Sequence, residues 1–287
     1  MAKISVIGIC GKSSFFSVDH FHAEGETLSA ESLFEEMGGK GINQAIAASR
    51  LGGEVSFLAA VGDDAEKDLC RDLLKKEGIR YYLSVKTGRR TPNAVILTDK
   101  NGSNRVTVFK DAELDESDVE RFREEIENSD VLLLQNEVPD EVNRKAIEIA
   151  SRKGVKVILN PAPARELDGF YRDRVYLVTP NEQEAEFISA SDFENSVVTL
   201  GGDGCLINGE IHLLSLGRAP VDTTGAGDTF NGALAMKLAE GKSLREASLY
   251  GIVASGISVS RRHVIDAIPS KKEADENLEK YIKEKLK

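Results

Sequence analysis

Asp222-Thr223-Thr224-Gly225-Ala226-Gly227-Asp228-Thr229-Phe230-Asn231-Gly232-Ala233 is a glycine-rich turn running into a helix, with Phe230, Leu234 and Leu238 spaced four apart. Gly225 and Gly227 let the main chain bend and lie close to a ligand. The first turn of a helix has N–H groups without intrahelical partners and carries a partial positive charge, so it is a ready anion site. An aspartate there stays ionised and is placed to take a proton from an alcohol held beside a phosphate. Taken alone, the segment reads equally well as an ordinary turn in which Asp228 is a favourable first-turn charge.

A second stretch has the same form. Gly38-Gly39-Lys40-Gly41-Ile42-Asn43-Gln44-Ala45 also enters a helix, with bare backbone at Gly39 and Gly41 against which a polyol can lie. Asn43 can both donate to and accept from hydroxyls. Neither stretch is one of the two commonest phosphate motifs. Gly11-Lys12-Ser13 resembles the end of a P-loop, but the glycine required five residues earlier is Val6. Gly225-Ala226-Gly227 lacks the third glycine of a dinucleotide fingerprint.

Around these turns, short β-branched runs alternate with helical patterns. Strands are expected over Lys3–Ile9, Glu54–Val61, Asp130–Gln135, Val155–Asn160, Val175–Thr179 and Ser196–Leu200. Helices are expected over Gly41–Leu51, Ala65–Lys76 (Leu69, Leu73 and Leu74 on one face), Asp140–Lys153 and Ser243–Ser260. Pro269 precedes a capping-box pattern at Ser270 and Glu273, which opens a charged helix to the end. Buried strands alternating with helices predict an α/β fold with a mostly parallel sheet covered on both faces. Two segments break the rhythm. Ala94–Thr98 and Arg105–Phe109 flank Asp99-Lys100-Asn101-Gly102, a hairpin signal, and Ser13–Gly38 reads as extended. Together they predict a small β-sheet lid from residues 13–37 and 91–110 on a single domain of residues 1–287.

The chain has 287 residues and a formal net charge of −11, which disfavours duplex nucleic acid as a partner because phosphate neutralisation needs clustered Lys and Arg. With 41% hydrophobic and 30% charged residues the balance is that of a globular protein and not a disordered one. No apolar run approaches the roughly 20 residues that span a bilayer, and the N-terminus does not read as a signal peptide. Cys10, Cys70 and Cys205 are odd in number and widely separated, which suits buried thiols in a reducing, cytoplasmic compartment.

Taken together, the two turns and the blocks between them resemble the ribokinase-like (PfkB) family of carbohydrate kinases. Gly38–Gly52 (GGKGINQAIAASRLG) is similar to the first family signature and Asp222–Leu234 (DTTGAGDTFNGAL) to the second. Leu132–Glu137 (LLLQNE), Asn160–Leu167 (NPAPAREL), Thr179–Glu186 (TPNEQEAE) and Thr199–Gly204 (TLGGDG) match in order between them. The resemblance implies transfer of the γ-phosphoryl group of ATP to a sugar hydroxyl, first of all O5 of D-ribose. The alternatives are another sugar or a nucleoside, or a non-catalytic sensor. It implies Asp228 as general base and the N–H groups of Gly225, Ala226 and Gly227 as the anion hole. Asn181 and Glu184 would place phosphates and Mg²⁺ through water, and Thr199, Gly201 and Gly204 would border the nucleotide. Ser17, Asp19, Gly39, Lys40, Gly41, Asn43 and Glu137 would hold the sugar. Asp222 and Thr224 would contribute to a K⁺ site, and pairing of lids would make a homodimer.

The departures from the family pattern cluster. Ser17 stands where an Asn usually precedes the sugar-binding Asp, Lys110-Asp111-Ala112 replaces a Gly-Ala-Asn turn, and Asn93 replaces a lid glycine. Ala267 replaces a hydroxyl that can ligate potassium, so cation activation is expected to be weaker. Only residues 187–198 separate Glu186 from Thr199, where the family fits a further helix. His20 and His22 are spaced to share a strand face, but no third metal ligand is evident. His212 and His263 read as structural or exposed, and the Glu31/Glu35/Glu36 cluster as a solvated lid face.

Overall fold

A computed structural model describes residues 2–285. In chain order the strands are β1 (Lys3–Ile7), β2 (Gly11–Ser17), β3 (Ser32–Gly38), β4 (Glu54–Gly62), β5 (Arg80–Lys86), β6 (Asn93–Thr98), β7 (Asn104–Phe109), β8 (Val131–Gln135), β9 (Lys156–Asn160), β10 (Leu177–Val178), β11 (Val197–Thr199), β12 (Cys205–Ile207) and β13 (Ile211–Leu213). The helices are α1 (Lys40–Arg50), α2 (Glu66–Lys76), α3 (Glu116–Arg121), α4 (Arg123–Glu127), α5 (Asp140–Lys153), α6 (Gly169–Arg172), α7 (Glu182–Ile188), α8 (Ala226–Ala239), α9 (Leu244–Ser258) and α10 (Lys271–Lys285).

The central sheet is parallel, in the order β10-β9-β8-β1-β4-β5. Alternating side chains divide between two apolar clusters. Val55, Phe57 and Ala59 face a layer containing Ile42, Ile46, Phe230, Leu234 and Tyr250. Leu58 and Ala60 face one containing Val119, Phe122, Val142 and Ile147. Strands buried on both faces need no polar positions, which is why they read as continuous apolar runs.

The expected hairpin and extended segment form one four-stranded sheet, β3-β2-β6-β7, in which β2 and β6 run parallel and the other pairs antiparallel. Its register extends to Gly11 and Gly38, slightly beyond the expected segments. Three local expectations give way. Ser196–Leu200 is expected in the parallel sheet, but β11 leads a three-stranded antiparallel sheet, β11-β12-β13, and meets the end of β10 and the segment after it through isolated bridges at Val178–Ser196 and Asn181–Thr199. β5 lacks an apolar pattern because an edge strand is only half-buried, and its polar Arg80, Ser84 and Lys86 are matched by Glu125, Asp118 and Asp115. Leu69 is exposed, so the apolar face of α2 rests on Cys70 and Leu74.

Between Glu186 and Thr199 the chain holds the end of α7 and a single 3-10 turn at Ala190–Asp192. Ser270 and Glu273 do cap α10: the Ser270 N–H donates to Glu273 at 3.0 Å and the Glu273 N–H to Ser270 Oγ at 3.4 Å. Cys10, Cys70 and Cys205 are buried free thiols. Among the described residues, no helix is long and apolar enough to cross a membrane.

Candidate active site

In an open parallel sheet, ligand sites form beyond the carboxyl ends of the strands where the strand order reverses. Here β1 lies between β4 and β8, and the segments leaving β1, β8, β9 and β10 converge with the starts of α1 and α8. Gly225 caps α8 in the left-handed region (φ 72°), and a Cβ there would lie 2.3 Å from Val264 Cγ1. Glycine is therefore required both by the turn and by the close approach. Ala226, Gly227 and Asp228 occupy the first turn, where N–H groups lack helical partners.

Asp228 is buried and held by two amides: Asn43 Nδ2 donates to Oδ2 at 2.9 Å and Gln44 Nε2 to Oδ1 at 3.0 Å. Gln44 Nε2 also donates to Asn160 Oδ1 at 3.1 Å, while Gln135 Nε2 donates to Gln44 Oε1 at 2.7 Å. The network continues from Asn160 Nδ2 to the Thr179 carbonyl (2.9 Å), from Thr179 Oγ1 to Asn231 Oδ1 (2.5 Å), and from Asn231 Nδ2 to the Gly227 carbonyl (2.8 Å). Three strand ends and two helices, α1 and α8, thus fix the carboxylate and the glycine turn relative to each other. Such a network is rigid because each buried group would be costly to leave unpaired. Sequence reading missed Gln44, Asn160, Thr179 and Asn231 as site residues. Their signal was a polar residue at the end of each otherwise apolar strand or on a buried helix face.

A second polar cluster lies next to it. The Lys40 N–H donates to Glu137 Oε2 at 2.8 Å. Burial opposes the Lys40 ammonium, but the charges of Asp228, Glu137 and Glu184 outweigh it and hold its pKa above the ordinary lysine value. Burial, countered by Lys40 and reinforced by Asp228, raises the Glu137 carboxyl above its usual range. Lys110 Nζ reaches the Glu137 carbonyl at 2.6 Å. Asn43 Oδ1, Gln135 Oε1 and both amide atoms of Asn136 are buried without a partner, as are Asn143 Oδ1, Arg165 Nε and Ser248 Oγ among the described residues. Buried polar groups are otherwise nearly always paired, so the group of them at Asn43, Gln135 and Asn136 suits a polar ligand or water.

Two expected sugar residues are not brought here. β2 starts at Gly11, paired with Gly38 beside the site, and ends at Ser17, paired with Ser32. Six residues of strand carry Ser17 about 20 Å away along β2. Asp19 lies further still, exposed at the distal end of the small sheet, where its carboxylate takes Lys100 Nζ at 3.0 Å and pairs with His20 at 3.0 Å. The residue that β2 does bring to Gly38 is the buried Ser13: a Cβ on Gly38 would lie 2.6 Å from its Oγ. The strand spacing hid this, because Ser17-Val18-Asp19 copies the polar spacing of a site while sitting past the strand's end. His20 and His22 also lie past it. His20 bridges Asp19 and Glu26, and no group of three metal-ligating side chains occurs among the described residues.

On the other side of the glycine turn is a cavity of about 610 Å³, lined by Thr199, Gly201, Gly204, Ala226, Gly227 and an apolar wall that includes Phe230, Ile252 and Val259. Thr199 and Gly227 also line a small polar cavity with Lys40, Asn181, Glu184, Gly225 and Asp228. Asn181 and Glu184 form a capping box on α7, with Asn181 Oδ1 accepting from the Glu184 N–H at 2.8 Å and Glu184 Oε2 from the Asn181 N–H at 2.9 Å. Asp222 Oδ1 accepts the Thr224 N–H at 2.9 Å and Oδ2 the His263 N–H at 3.3 Å, and Ala267 is buried nearby in sequence. Glu36 is not solvated as expected. Its carboxylate accepts the N–H groups of Val264 (3.0 Å) and Ile265 (3.3 Å), and burial raises its pKa.

Known proteins share this architecture. The family model of the pfkB family carbohydrate kinases matches residues 1–271. A ribokinase of Haemophilus influenzae is 34% identical over 300 residues, covering 96% of this chain and 98% of its own. The crystal structure of a ribokinase from Thermotoga maritima aligns with a TM-score of 0.87 at 33% identity, covering 97% of this chain and all of that one. A ribokinase of Arabidopsis thaliana, solved with ribose and ATP, aligns at 0.85 with 27% identity over 97% of this chain and 99% of its own. With its parallel sheet, glycine turn and signatures in place, the chain belongs to the pfkB family of carbohydrate kinases and is a phosphotransferase acting on an alcohol group.

Proposed function

We propose that the protein transfers the γ-phosphoryl group of ATP to O5 of D-ribose. The observation that carries this is the placement of Asp228 between two differently furnished spaces. One is the large, partly apolar cavity that suits a nucleoside. The other is a cluster of orphaned amides, Lys40 and Glu137 that suits hydroxyl groups. Asp228 takes the proton of the acceptor hydroxyl as its oxygen bonds to the γ-phosphorus. The bond from that phosphorus to the β–γ bridging oxygen breaks, and ADP leaves. The N–H groups of Gly225, Ala226 and Gly227 stabilise charge on the transferring group, which is where most catalysis of this kind resides. Asn43 and Gln44 orient the base, and Lys40 offsets the charge that Glu137 and Asp228 bring together.

Mg²⁺ fits the small polar cavity. Glu184 spends one carboxylate oxygen on its capping box and keeps Oε1 for the cation's water shell, a suitable arrangement for a hard, heavily hydrated ion. When bound, Mg²⁺ neutralises phosphate charge. K⁺ would use Asp222, Thr224 and carbonyls of the loop after α9. Ala267 offers no hydroxyl, so activation is expected to be weaker than where a hydroxyl stands there.

Residues 1–287 act as one domain with the small sheet as a lid, and lids pair to form a homodimer. The β7 edge of the lid is unpaired and fully exposed, and Leu33 and Val95 expose apolar side chains. The three buried free cysteines suit the cytoplasm.

A second reading has one observation in its favour. With Asp19 at the lid's far end, the lid brings Ser13 to Gly38, and the neighbouring Glu36 carboxylate is spent on the Val264 and Ile265 N–H groups, which favours an acceptor with fewer hydroxyls, such as 2-deoxyribose. ADP release measured with ribose, deoxyribose, fructose and nucleosides, with and without K⁺, decides. Ribose should give the highest kcat/KM, with less than about a tenfold gain from K⁺, a difference of roughly 1.4 kcal/mol. Silence on all acceptors would defeat the kinase reading, and preference for deoxyribose would select the second.

A further inference from the structure

The lid strand β3 is fastened to the main body by a contact that the phosphoryl-transfer reading does not use. Strand alternation and register put Glu36 in a row with Ser13, Ala94 and Val108 on one face of the small sheet. From that face its two carboxylate oxygens accept one N–H each, from Val264 at 3.0 Å and Ile265 at 3.3 Å. Two residues before it, the Phe34 ring stacks on His263 with centroids 3.7 Å apart.

The loop so held is the one that backs the anion turn. Val264 Cγ1 occupies the space where Gly225 would carry a Cβ. The His263 N–H donates to Asp222 Oδ2, and the Val259 carbonyl accepts the N–H groups of Val221 (2.7 Å) and Asp222 (3.2 Å). On its far side the Ile265 carbonyl accepts Arg50 Nη1 at 2.6 Å, so the loop is also tied to the end of α1. Glu36 thus sits on a short chain of contacts. One end is β3, which leads through Gly38–Gly39 into the acceptor-side start of α1. The other end is Gly225, which caps the helix carrying Asp228.

We propose that Glu36 is a positioning residue for phosphoryl transfer: by clamping the loop at Val264 and Ile265 to the lid strand, it sets the N–H groups of the Gly225 turn according to where the lid lies. This rests on the kinase reading above for its consequence and on hydrogen bonds and packing contacts for its geometry. A carboxylate is the side chain that suits two adjacent N–H donors. In Glu36→Gln one oxygen still accepts, while the amide NH₂ faces the second N–H and cannot.

The test compares wild-type protein with Glu36→Ala, Glu36→Gln and the control Glu35→Ala, whose carboxylate pairs with Lys12 away from this loop. Steady-state kinetics should show kcat falling about tenfold or more in both Glu36 variants, in line with losing charge-assisted hydrogen bonds. ATP affinity without acceptor, read by calorimetry, should stay within about threefold, a difference under roughly 1 kcal/mol. The Glu35 control should keep wild-type rates. Hydrogen exchange provides an arm that needs no activity: Glu36→Gln should speed deuterium uptake in residues 263–265 and also in residues 222–227. Wild-type kcat in Glu36→Gln, an equal loss in the Glu35 control, or uptake confined to residues 263–265 overturns the proposal. Wild-type protein that phosphorylates no acceptor defeats the kinase reading instead, and the exchange arm still decides the clamp.

Discussion

At the scale of single residues the site is governed by which amides can turn round and which cannot. Gln44 is locked, since its nitrogen donates to both Asp228 and Asn160 while its oxygen accepts from Gln135. Asn43 is not, because its Oδ1 has no partner and can exchange places with Nδ2. Asp228→Asn can therefore present its own oxygen to Gln44 and its NH₂ to a flipped Asn43. The variant should fold with a stability loss of no more than about 1 kcal/mol, the scale of one net hydrogen bond. It has no carboxylate to take a proton, so kcat should fall about 10²–10⁴-fold while calorimetric ATP binding persists. An unchanged kcat would remove Asp228 from the base role.

At the scale of elements, the C-terminal helix shows how a cap can carry a pH signature. Glu273 receives Arg261 Nη2 at 2.5 Å as well as the Ser270 N–H, and these, with Arg261 the larger influence, pull its pKa from 4.5 to about 2. A depressed carboxyl pKa stabilises the fold in full above the unfolded value, near 4.5, and the contribution drains away as pH falls towards 2. The melting temperature of wild-type protein should exceed that of Glu273→Gln above about pH 5, with the gap closing as pH approaches 2. A gap that widens in acid would contradict the assignment. The effect belongs to α10 and its docking on α9, where Tyr250 Oη donates to Asp275 at 2.9 Å, and not to the active site.

For the whole molecule, the small sheet leaves its β7 edge and the apolar side chains of Leu33 and Val95 exposed. If lids pair as proposed, light scattering of the 31.2 kDa chain should give twice that mass. Leu33→Lys should return it to the monomer, by placing an ammonium on an apolar surface. A wild-type monomer at assay concentration would exclude the lid-paired dimer. The −11 charge that argued against duplex nucleic acid has no bearing on a nucleotide. Backbone N–H groups at Gly225–Gly227 are donors that a residue count does not register.

The sequence by itself determined the parallel sheet, both glycine turns and the position of Asp228 in the first turn of α8. These follow from local chemistry: apolar runs buried on both faces, glycine where the chain must bend, and a carboxylate where helix N–H groups are free. Only the tertiary structure decided which polar residues meet. Ser17 and Asp19 have suitable chemistry and spacing, yet the register of β2 with β3 carries them to the far end of the lid and leaves Ser13 beside Gly38. Gln44, Asn160 and Asn231 become one network, and Glu36 becomes a clamp on a loop 228 residues away. A hydrogen bond depends on positions in space, and pairing between residues so distant in the chain is set by strand register and helix packing, which local sequence does not encode.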